Sequence, residues 1–250
     1  MDRFEYFEID SQNGYTISCK RIIPEECRRI VIICHGYGGS MEGRTVASLS
    51  PLLADKGIGV ISFDWCGHGM SMMSGEYFTV KNCLRDLDSV YCYAEDKYPS
   101  CDICLCGTSF GAYSVLLYNS IYARSVPRLV ARCCALDMLD IFEKKLMGSE
   151  LRHLTDYGSI VVEGERPITI TEEFHTQLKK YDIHNEFKPM RTSYLFVHGT
   201  NDEIAPYYAV KEFCAEHDLT CETIDDADHF MSDDTKLAIC NNAILRFFMS

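Results

Sequence analysis

Short apolar runs alternate with helical stretches along most of this chain, and no other feature restricts its fold as strongly. Arg29–Cys34 and residues 59–64 are almost unbroken runs of apolar residues. Each predicts a strand buried on both faces, because a half-exposed strand would alternate apolar with polar residues. Residues 79–98 carry apolar side chains at offsets 0, 4, 7, 11 and 14, which is the spacing of an amphipathic helix.

The remaining elements continue this alternation. Further strands are predicted at 4–9, 15–23, 102–106, 129–136, 194–197 and 220–224, the first two joined by a turn at Asn13-Gly14. Further helices are predicted at 42–56, 109–122, 207–217 and 233–248. Strands that alternate with helices usually form parallel sheets. The predicted class is therefore α/β, with a mostly parallel eight-stranded sheet covered by helices on both faces.

One interval breaks the alternation. Between residues 136 and 192 lie about 55 residues, whereas a crossover connection needs only about a dozen or more. They include helical pieces at 143–153 and 172–180, and a hairpin pattern at 160–170 that turns at Gly164-Glu165. Such a long insertion is usually a functional lid or binding element, although a decorative insertion is the alternative. We predict a core of residues 1–136 and 191–250, with a lid at 137–190.

The charge balance excludes some classes of partner. The 250 residues include 37 Asp and Glu against 24 Lys and Arg, which gives a formal net charge of −13. This charge disfavours nucleic acid and anionic membranes as partners. No apolar run approaches the roughly 20 residues of a membrane-spanning helix. The first five residues also lack the basic and apolar regions of a signal peptide, so none is expected.

The chain contains fourteen cysteines, a high count. Cys101 and Cys104 form a CxxC pair, but no second pair follows at zinc-site spacing. We therefore expect no metal ion and no cofactor, and a reducing, cytoplasmic location fits the cysteines best. Several lie inside apolar, strand-like runs, where a thiol acts as a small buried apolar group: Cys34, Cys104, Cys106, Cys133 and Cys134.

Residues 107–111 (Gly-Thr-Ser-Phe-Gly) form a G-x-S-x-G pattern between a predicted strand and a predicted helix. A tight turn there requires Gly107 and Gly111, since side chains would clash with neighbouring backbone, and it lifts the Ser109 hydroxyl above the sheet. The helix N-terminus at Ser109 also favours developing negative charge. We predict Ser109 as a nucleophile; an ordinary helix-capping serine is the alternative.

A serine nucleophile needs a base, and the base needs an acid that orients it. Asp202 comes just beyond the predicted strand at 194–197, and His229 lies between the last predicted strand and the last predicted helix. The order Ser109, Asp202, His229, each at the carboxyl end of a strand, is the order of a Ser-Asp-His site on a parallel sheet. Glu203, beside Asp202, is the close rival for the acid.

A glycine-rich loop follows the predicted strand Arg29–Cys34. Acyl transfer needs N–H donors aimed at the place where the carbonyl oxygen becomes an oxyanion. We assign this role to the backbone N–H groups of Tyr37, in this loop, and of Phe110, next to Ser109. His35 lies in the same loop, and we expect it to brace the loop by hydrogen bonds, since the position of the base falls to His229.

Five segments together resemble the α/β-hydrolase superfamily: HGYGGS at 35–40, FDWCGHGMS at 63–71, GTSFGA at 107–112, HGTNDEIAP at 198–206 and DADHF at 226–230. More narrowly, the chain is similar to serine hydrolases grouped with lysophospholipases and serine aminopeptidases, and most closely to small bacterial cinnamoyl (feruloyl) esterases. The resemblance implies the α/β-hydrolase fold with an inserted lid. It also implies, position by position, the same nucleophile, acid, base and oxyanion donors as the residues named above.

The chain departs from this pattern at two positions. Cys66 stands where the family usually has arginine, so the bracing around this position is in doubt. Thr108 stands where relatives often have histidine, which changes the floor of the pocket. The arginine of the family is interpreted as structural, so the departure at Cys66 leaves the predicted catalysis unchanged.

The expected function is hydrolysis of carboxylic esters with small or aromatic acyl groups through an acyl-enzyme intermediate. Tyr37 and Tyr157 are candidates for stacking on a flat acyl group. Aminopeptidase, lysophospholipase and thioesterase reactions use the same machinery and stay open. An aminopeptidase would need an acidic side chain that seats a free amine. The insertion offers Glu143, Glu150, Asp156 and Glu163.

A ligand-binding receptor on a hydrolase fold is the alternative from a different functional class. Such a protein often lacks one catalytic residue, whereas this chain has all three, so the complete set favours an enzyme. We expect a small-molecule ester as partner, without nucleic acid or membrane, and leave room for a homodimer.

Overall fold

Eight strands form one mixed sheet in the computed structural model, which describes residues 4–124, 126–163 and 166–250. The ten strands, numbered along the chain, are β1 (Glu5–Asp10), β2 (Thr16–Ile22), β3 (Arg29–Cys34), β4 (Gly59–Phe63), β5 (Asp102–Thr108), β6 (Arg128–Arg132), β7 (Ser159–Val162), β8 (Ile168–Thr171), β9 (Ser193–Gly199) and β10 (Thr220–Ile224). The large sheet has the order β1-β2-β4-β3-β5-β6-β9-β10, while β7 and β8 pair separately. β2 is antiparallel to both neighbours, and the ladders from β4 to β10 are parallel. The predicted α/β class and eight-stranded sheet are confirmed.

Helices cover both faces of this sheet. One face packs against α1 (Arg44–Ala54) and α9 (Asp234–Met249), and the other against α2 (Val80–Lys97), α3 (Phe110–Ile121) and α8 (Tyr207–Glu216). The position of β3 explains its apolar sequence. Its side chains point alternately into the cores on the two faces of the sheet, and all five apolar side chains are buried. A strand covered on both faces favours apolar side chains at nearly every position.

The sheet has a topological switch point at β3. Strand β4 lies on one side of β3 and β5 lies on the other, so the connections that leave β3 and β5 diverge. Crevices at such points, beyond the carboxyl ends of the strands, are where ligands bind in open α/β sheets. The loop at residues 35–40 and Ser109 both follow strands that meet here.

The long connection between β6 and β9 contains its own small elements. They are α4 (Met138–Ile141), which continues as a π-helical turn over Phe142–Met147, then α5 (Glu150–Tyr157), the β7–β8 hairpin, α6 (Glu172–Lys180) and α7 (Ile183–Glu186). The predicted hairpin pairs as an antiparallel ladder. Its predicted turn at Gly164-Glu165 lies outside the described residues.

This insertion packs into the core that α2 and α3 share. The ring of Phe174, on α6, stacks on Phe78 with their centroids 4.8 Å apart and lies 5.9 Å from Phe110. Ile168 and Ile170 of β8 are buried in the same core. The insertion is therefore anchored by apolar side chains beside the segment that carries Ser109.

Two predicted elements differ from the structure. The strand predicted at 129–136 ends at Arg132, because Cys133 takes a positive φ of 44° that breaks the extended backbone. The helix predicted at 143–153 is divided, because Gly148 has a φ of 51° and separates the π-helical turn from α5. In both places one residue's backbone conformation interrupts a continuous apolar or helical pattern.

All fourteen cysteines lie among the described residues and are free thiols. Most are buried, which agrees with their interpretation as small apolar side chains. Within the described ranges, no helix combines the length and the apolar character that crossing a bilayer would require.

Candidate active site

Ser109 stands in the sharp turn between β5 and α3. Its backbone has φ 54° and ψ −115°, a conformation that costs a non-glycine residue of order 1–3 kcal/mol. A Cβ on Gly107 would overlap with the backbone of Gly111, and a Cβ on Gly111 would overlap with the carbonyl of Cys34. The expectation that this turn requires both glycines is confirmed. The strained turn presents the serine side chain at the switch point rather than to the helix as a cap, since Ser109 makes no capping hydrogen bond.

Asp202 and His229 form a hydrogen-bonded pair. The Nδ1 atom of His229 lies 2.8 Å from Oδ2 of Asp202, and both side chains are buried. The other carboxylate oxygen of Asp202 accepts hydrogen bonds from the N–H groups of Ile204, at 3.0 Å, and Ala205, at 2.8 Å. Glu203, the rival acid, is exposed to solvent. The structure thus places Asp202, and not Glu203, against the imidazole.

His198 completes the surroundings of this carboxylate, and the sequence reasoning missed it. Its Nε2 atom lies 3.1 Å from Oδ2 of Asp202 and 2.9 Å from the carbonyl oxygen of Ala205. Burial alone would raise the pKa of Asp202, but hydrogen bonds from His198 and His229 outweigh burial and hold that pKa well below its usual range. The i, i+4 spacing of His198 and Asp202 within HGTND was the available signal.

Ser109 and His229 line the same cavity, which has a volume of about 310 Å³. Its walls come from the loop after β3, the first turn of α1, the ends of β5 and β6, and Phe230. Small-molecule sites commonly measure ~300–1,000 Å³, so this cavity accommodates a small ligand. No Asp or Glu of the described chain lines it.

The loop after β3 lies directly against Ser109: a Cβ on Gly36 would come within 3.2 Å of the Ser109 Cβ. Phe110 is the first residue of α3, so its N–H has no acceptor within the helix. The N–H of Tyr37 likewise donates to no acceptor in the part of the chain that the structure describes. Within the described residues, both N–H groups thus lack a hydrogen-bond acceptor, as an oxyanion role requires, and that role stays a prediction.

His35 holds this loop in place. Its Nδ1 atom lies 2.8 Å from the carbonyl oxygen of Gly36, its Nε2 lies 3.3 Å from the N–H of Trp65, and its own carbonyl accepts from the Trp65 indole at 2.9 Å. Burial lowers the pKa of His35 to about 4, so the ring is neutral near pH 7. These contacts agree with the predicted bracing role.

The two tyrosines predicted to bind an acyl group lie in different places. Tyr37 lines the cavity, and its ring packs 5.9 Å from His68 and 6.1 Å from Phe78. Tyr157 is 73% exposed on α5, where its ring lies 4.3 Å from that of His153. The structure does not bring Tyr157 to the cavity.

The four acidic residues considered for seating an amine also lie away from Ser109. Glu143 pairs with His175, with 2.7 Å between Oε1 and Nε2, and the other three are exposed on the insertion. None of the four lines the cavity. Among the described residues, no carboxylate in the cavity wall is available to bind a free amine.

The sequence showed no set of residues at metal-ligand spacing, yet the fold brings one together. Possible ligand atoms of Cys133, Asp202 and His229 lie within 4.8 Å of one another, because three strand ends converge here. The donors fit a metal poorly: Nδ1 of His229 already bonds to Asp202, and burial raises the pKa of the Cys133 thiol to about 12. A metal would need that thiol deprotonated.

Comparison with known proteins identifies the family. The sequence profile described as serine aminopeptidase, S33, matches residues 25–156, which is more than half of the chain. The chain belongs to this family. A serine hydrolase-like protein of Dictyostelium discoideum is 28% identical over 141 residues, and protein phosphatase methylesterase 1 of Candida albicans is 25% identical over 119 residues. The matches cover 56% and 48% of this chain but 37% and 31% of those proteins, so the chain spans about a third of their length.

Solved structures show the same fold as this S33 family member. Est1E from Butyrivibrio proteoclasticus, in a structure with bound ferulic acid, superposes with a TM-score of 0.84 at 21% identity, over 97% of this chain and 98% of that one. A putative hydrolase from Agrobacterium vitis gives a TM-score of 0.80 at 21% identity, over 98% of both chains. The predicted resemblance to α/β-hydrolase serine hydrolases, with a cinnamoyl-esterase-like fold, is confirmed.

Proposed function

We propose that this protein is a serine esterase that hydrolyses carboxylic esters, with Ser109 as nucleophile, His229 as base and Asp202 as the orienting acid. The observation that carries the proposal is the 2.8 Å hydrogen bond between Asp202 and His229. His229 lines the same cavity as Ser109, which stands in a strained turn. The three residues come from three separate strand ends, and only the fold gathers them. Membership of the S33 family supports the same chemistry.

The first half of the reaction follows from the two nitrogen atoms of His229. Because Nδ1–H donates to Asp202, Nε2 is the atom left to take the proton of the Ser109 hydroxyl. The serine oxygen attacks the ester carbonyl, and the resulting oxyanion accepts hydrogen bonds from the N–H groups of Tyr37 and Phe110. His229 then gives its proton to the departing alcohol, which leaves an acyl-enzyme.

The second half repeats these steps with water. His229 takes a proton from a water molecule that attacks the acyl-enzyme, the same N–H groups bind the second oxyanion, and Ser109 leaves with the proton. Asp202 stays ionised throughout, because His198 and two backbone N–H groups donate hydrogen bonds to its carboxylate. His198 is thus a positioning residue for Asp202.

The acyl group is proposed to be small or aromatic. A cavity of about 310 Å³ has room for a short acyl chain or a single ring and is small for a long lipid chain. Ferulic acid, named with Est1E, is an aromatic acid of this kind. We infer that residues 137–190 act as a lid that shapes the site indirectly, through the contact of Phe174 with Phe110.

Esterase activity is favoured over the other reactions of the family. An aminopeptidase needs an anionic side chain for the amine, and no acidic residue of the described chain lines the cavity. The methylesterase among the relatives supports an ester as substrate. A reducing, cytoplasmic location is also proposed, which the free thiols support.

The test is covalent labelling of Ser109 with a fluorophosphonate, together with hydrolysis of 4-nitrophenyl butyrate. We expect Ser109→Ala to lose both signals, with turnover reduced by several orders of magnitude. Ser114→Ala is the matched control, because Ser114 lies on the same helix and bonds only to the Phe110 carbonyl. Labelling without turnover of any ester would favour a receptor, and retained turnover in Ser109→Ala would remove the serine from the mechanism.

A further inference from the structure

The cavity beside Ser109 contains a buried cation that the proposed reaction does not use. We propose that Arg132, with Thr108, forms a carboxylate-binding subsite, so that the preferred substrate is an ester that carries a separate carboxylate group. This inference rests on the proposed function, since it names the substrate class of the same site.

Arg132 ends β6 and is 1% exposed. Its Nε and Nη2 atoms have no hydrogen-bond partner in the described part of the chain. A guanidinium stays charged at all physiological pH values, and a buried charge without a partner is strongly unfavourable. An unpaired arginine in a folded core therefore indicates a ligand that supplies the missing negative charge.

The two free atoms match one ligand geometry. Nε–H and Nη2–H lie on the same edge of the guanidinium, and this edge binds the two oxygens of a carboxylate with parallel hydrogen bonds. Among the described side chains, the guanidinium bonds to the Cys240 thiol and lies near the thiols of Cys106 and Cys133. Asp228 feels its charge, since Arg132 helps to lower the pKa of that carboxyl, but the described residues form no ion pair with Arg132 within 4.0 Å. Burial raises the pKa of Cys106 and of Cys133 to about 12, so both stay neutral.

Arg132 belongs to the wall of the active-site cavity. Arg132 and Thr108 both line the cavity that Ser109 and His229 line, and the Arg132 carbonyl accepts the Ser109 N–H at 3.0 Å. The Thr108 hydroxyl is buried and also without a partner among the described residues. A carboxylate bound here would thus occupy the same cavity as the reacting carbonyl.

The rest of the cavity wall favours an anion as well. The first turn of α1 faces it, and the capping residue of this 11-residue helix is Gly43, which provides no side-chain acceptor. Arg44, at the same helix start, also lines the cavity, but its charge is compensated, since it pairs with Asp234 and donates to the carbonyl oxygens of Met231 and Ser232. In a chain with a net charge of −13, this cavity is lined by two arginines and by no acidic residue of the described ranges.

The experiment compares kcat/KM for pairs of esters of similar size, of which one carries a carboxylate and the other carries an alkyl group in its place. For the acyl side, 4-nitrophenyl hemisuccinate is compared with 4-nitrophenyl pentanoate; for the alcohol side, acetoxyacetate is compared with ethyl acetate. For either the acyl pair or the alcohol pair, we expect kcat/KM to be at least tenfold higher for the charged ester. The pair that shows this preference identifies the part of the substrate that carries the bound carboxylate. Ratios near one on both sides would overturn the inference.

Substitutions test whether the preference for charged esters depends on the Arg132 side chain. Arg132→Met should reduce the charged-to-neutral ratio at least tenfold, while Arg132→Lys, which keeps the charge but loses the planar edge, should reduce it less. Arg128→Met is the control, because Arg128 lies at the other end of β6 and contacts the Phe247 ring. An unchanged ratio in Arg132→Met would contradict the proposal.

A binding measurement separates this inference from the proposed function. Succinate should raise the Tm of Ser109→Ala and should not raise that of Ser109→Ala with Arg132→Met. If the parent hydrolyses neutral esters but prefers no charged one, and succinate leaves the Tm unchanged, the subsite is wrong and the esterase stands. If no ester is hydrolysed, the esterase is wrong, and the succinate result still decides the subsite.

Discussion

At the scale of single residues, Asp202 shows how a buried carboxylate keeps its charge. Four donors converge on its two oxygens: two backbone N–H groups from the turn after β9, and the rings of His198 and His229. Because these hydrogen bonds hold the pKa of Asp202 well below its usual range, the carboxylate is ionised throughout the neutral pH range. The acid role therefore depends on geometry and not on pH near neutrality.

Asp202→Asn should reduce kcat by about 10³–10⁴-fold, because an amide cannot hold His229 in the required tautomer or stabilise its protonated form. Steady-state hydrolysis of 4-nitrophenyl butyrate measures this. Glu203→Gln is the control. Glu203 is adjacent to Asp202 but exposed to solvent, so this variant should change kcat little. A greater loss in the Glu203 variant would transfer the acid role to that residue.

Asp86 is the opposite case, a buried carboxyl whose ionised form is disfavoured. Burial raises its pKa to about 6, even though Ser11, Tyr15 and Asn13 donate hydrogen bonds to it. Cys66, at the position where the family usually has arginine, places only a thiol 3.9 Å away. Burial raises the pKa of that thiol to about 12, so it supplies no positive charge. The departure noted in the sequence thus leaves Asp86 without a cation at this position.

This predicts a pH-dependent stability. Because the folded pKa of Asp86 lies above the unfolded value of about 3.9, the folded state binds the proton more tightly. The resulting stabilisation is fully present below about pH 4 and is lost as the pH rises through 6, a change of about 3 kcal/mol in the free energy of unfolding. Urea unfolding from pH 4 to 7.5 should show this change in the parent and not in Asp86→Asn. Parallel curves for the two proteins would contradict it.

At the scale of elements, the insertion between β6 and β9 is part of the core rather than an appendage. Phe174 contacts Phe78, Phe110 and Phe142, with ring centroids 4.8, 5.9 and 5.4 Å apart. Arg166 adds polar anchors, since its guanidinium donates to the carbonyl oxygens of residues 68, 69 and 71. These contacts connect the insertion to the loop after β4 and to the start of α3, where Phe110 is the proposed oxyanion donor.

Phe174→Ala should lower the free energy of unfolding by about 3–5 kcal/mol, because it removes a fully buried ring that three others surround. Tyr157→Ala is the matched control within the insertion; its exposed ring should contribute less than about 0.5 kcal/mol. Urea unfolding at neutral pH distinguishes the two. Equal effects would mean that the insertion does not share the core, and a raised KM in Tyr157→Ala would restore Tyr157 as a substrate contact.

At the scale of the whole molecule, charge and cavity size act together on substrate choice. The net charge of −13 repels anionic lipid surfaces, and the cavity of about 310 Å³ is small for a long acyl chain. The cavity wall, which contains Arg132 and no acidic residue of the described chain, is the exception to this overall charge. These properties support our proposal that the substrates are small dissolved esters rather than lipids at an interface.

We predict higher kcat/KM for methyl ferulate and for a butyrate ester than for a palmitate ester, by at least tenfold. All three are measured below the concentration at which palmitate esters aggregate, with the Ser109→Ala variant as the blank. A clear preference for palmitate would contradict both the size argument and the proposed acyl preference.

Local patterns in the sequence were sufficient for much of the fold and for the predicted site residues. The apolar run of β3 specifies a doubly covered strand, and Gly107 and Gly111 specify a turn that no other residues allow. The sequence alone predicted three catalytic residues, because each follows a strand and the carboxyl ends of parallel strands lie at one edge of the sheet: Ser109, Asp202 and His229. These inferences need only the chemistry of neighbours along the chain.

Only the tertiary structure decided which side chains meet across the sheet. That Tyr157 faces solvent, that Asp202 bonds to His229, and that Arg132 lies in the cavity wall with Ser109 all depend on how segments far apart in the sequence pack together. Periodicity reports that a side chain is buried but not what surrounds it. A buried arginine at the end of a strand has the same local pattern whether or not a carboxylate faces it, so its unpaired edge is visible only once the strand order places it beside Ser109.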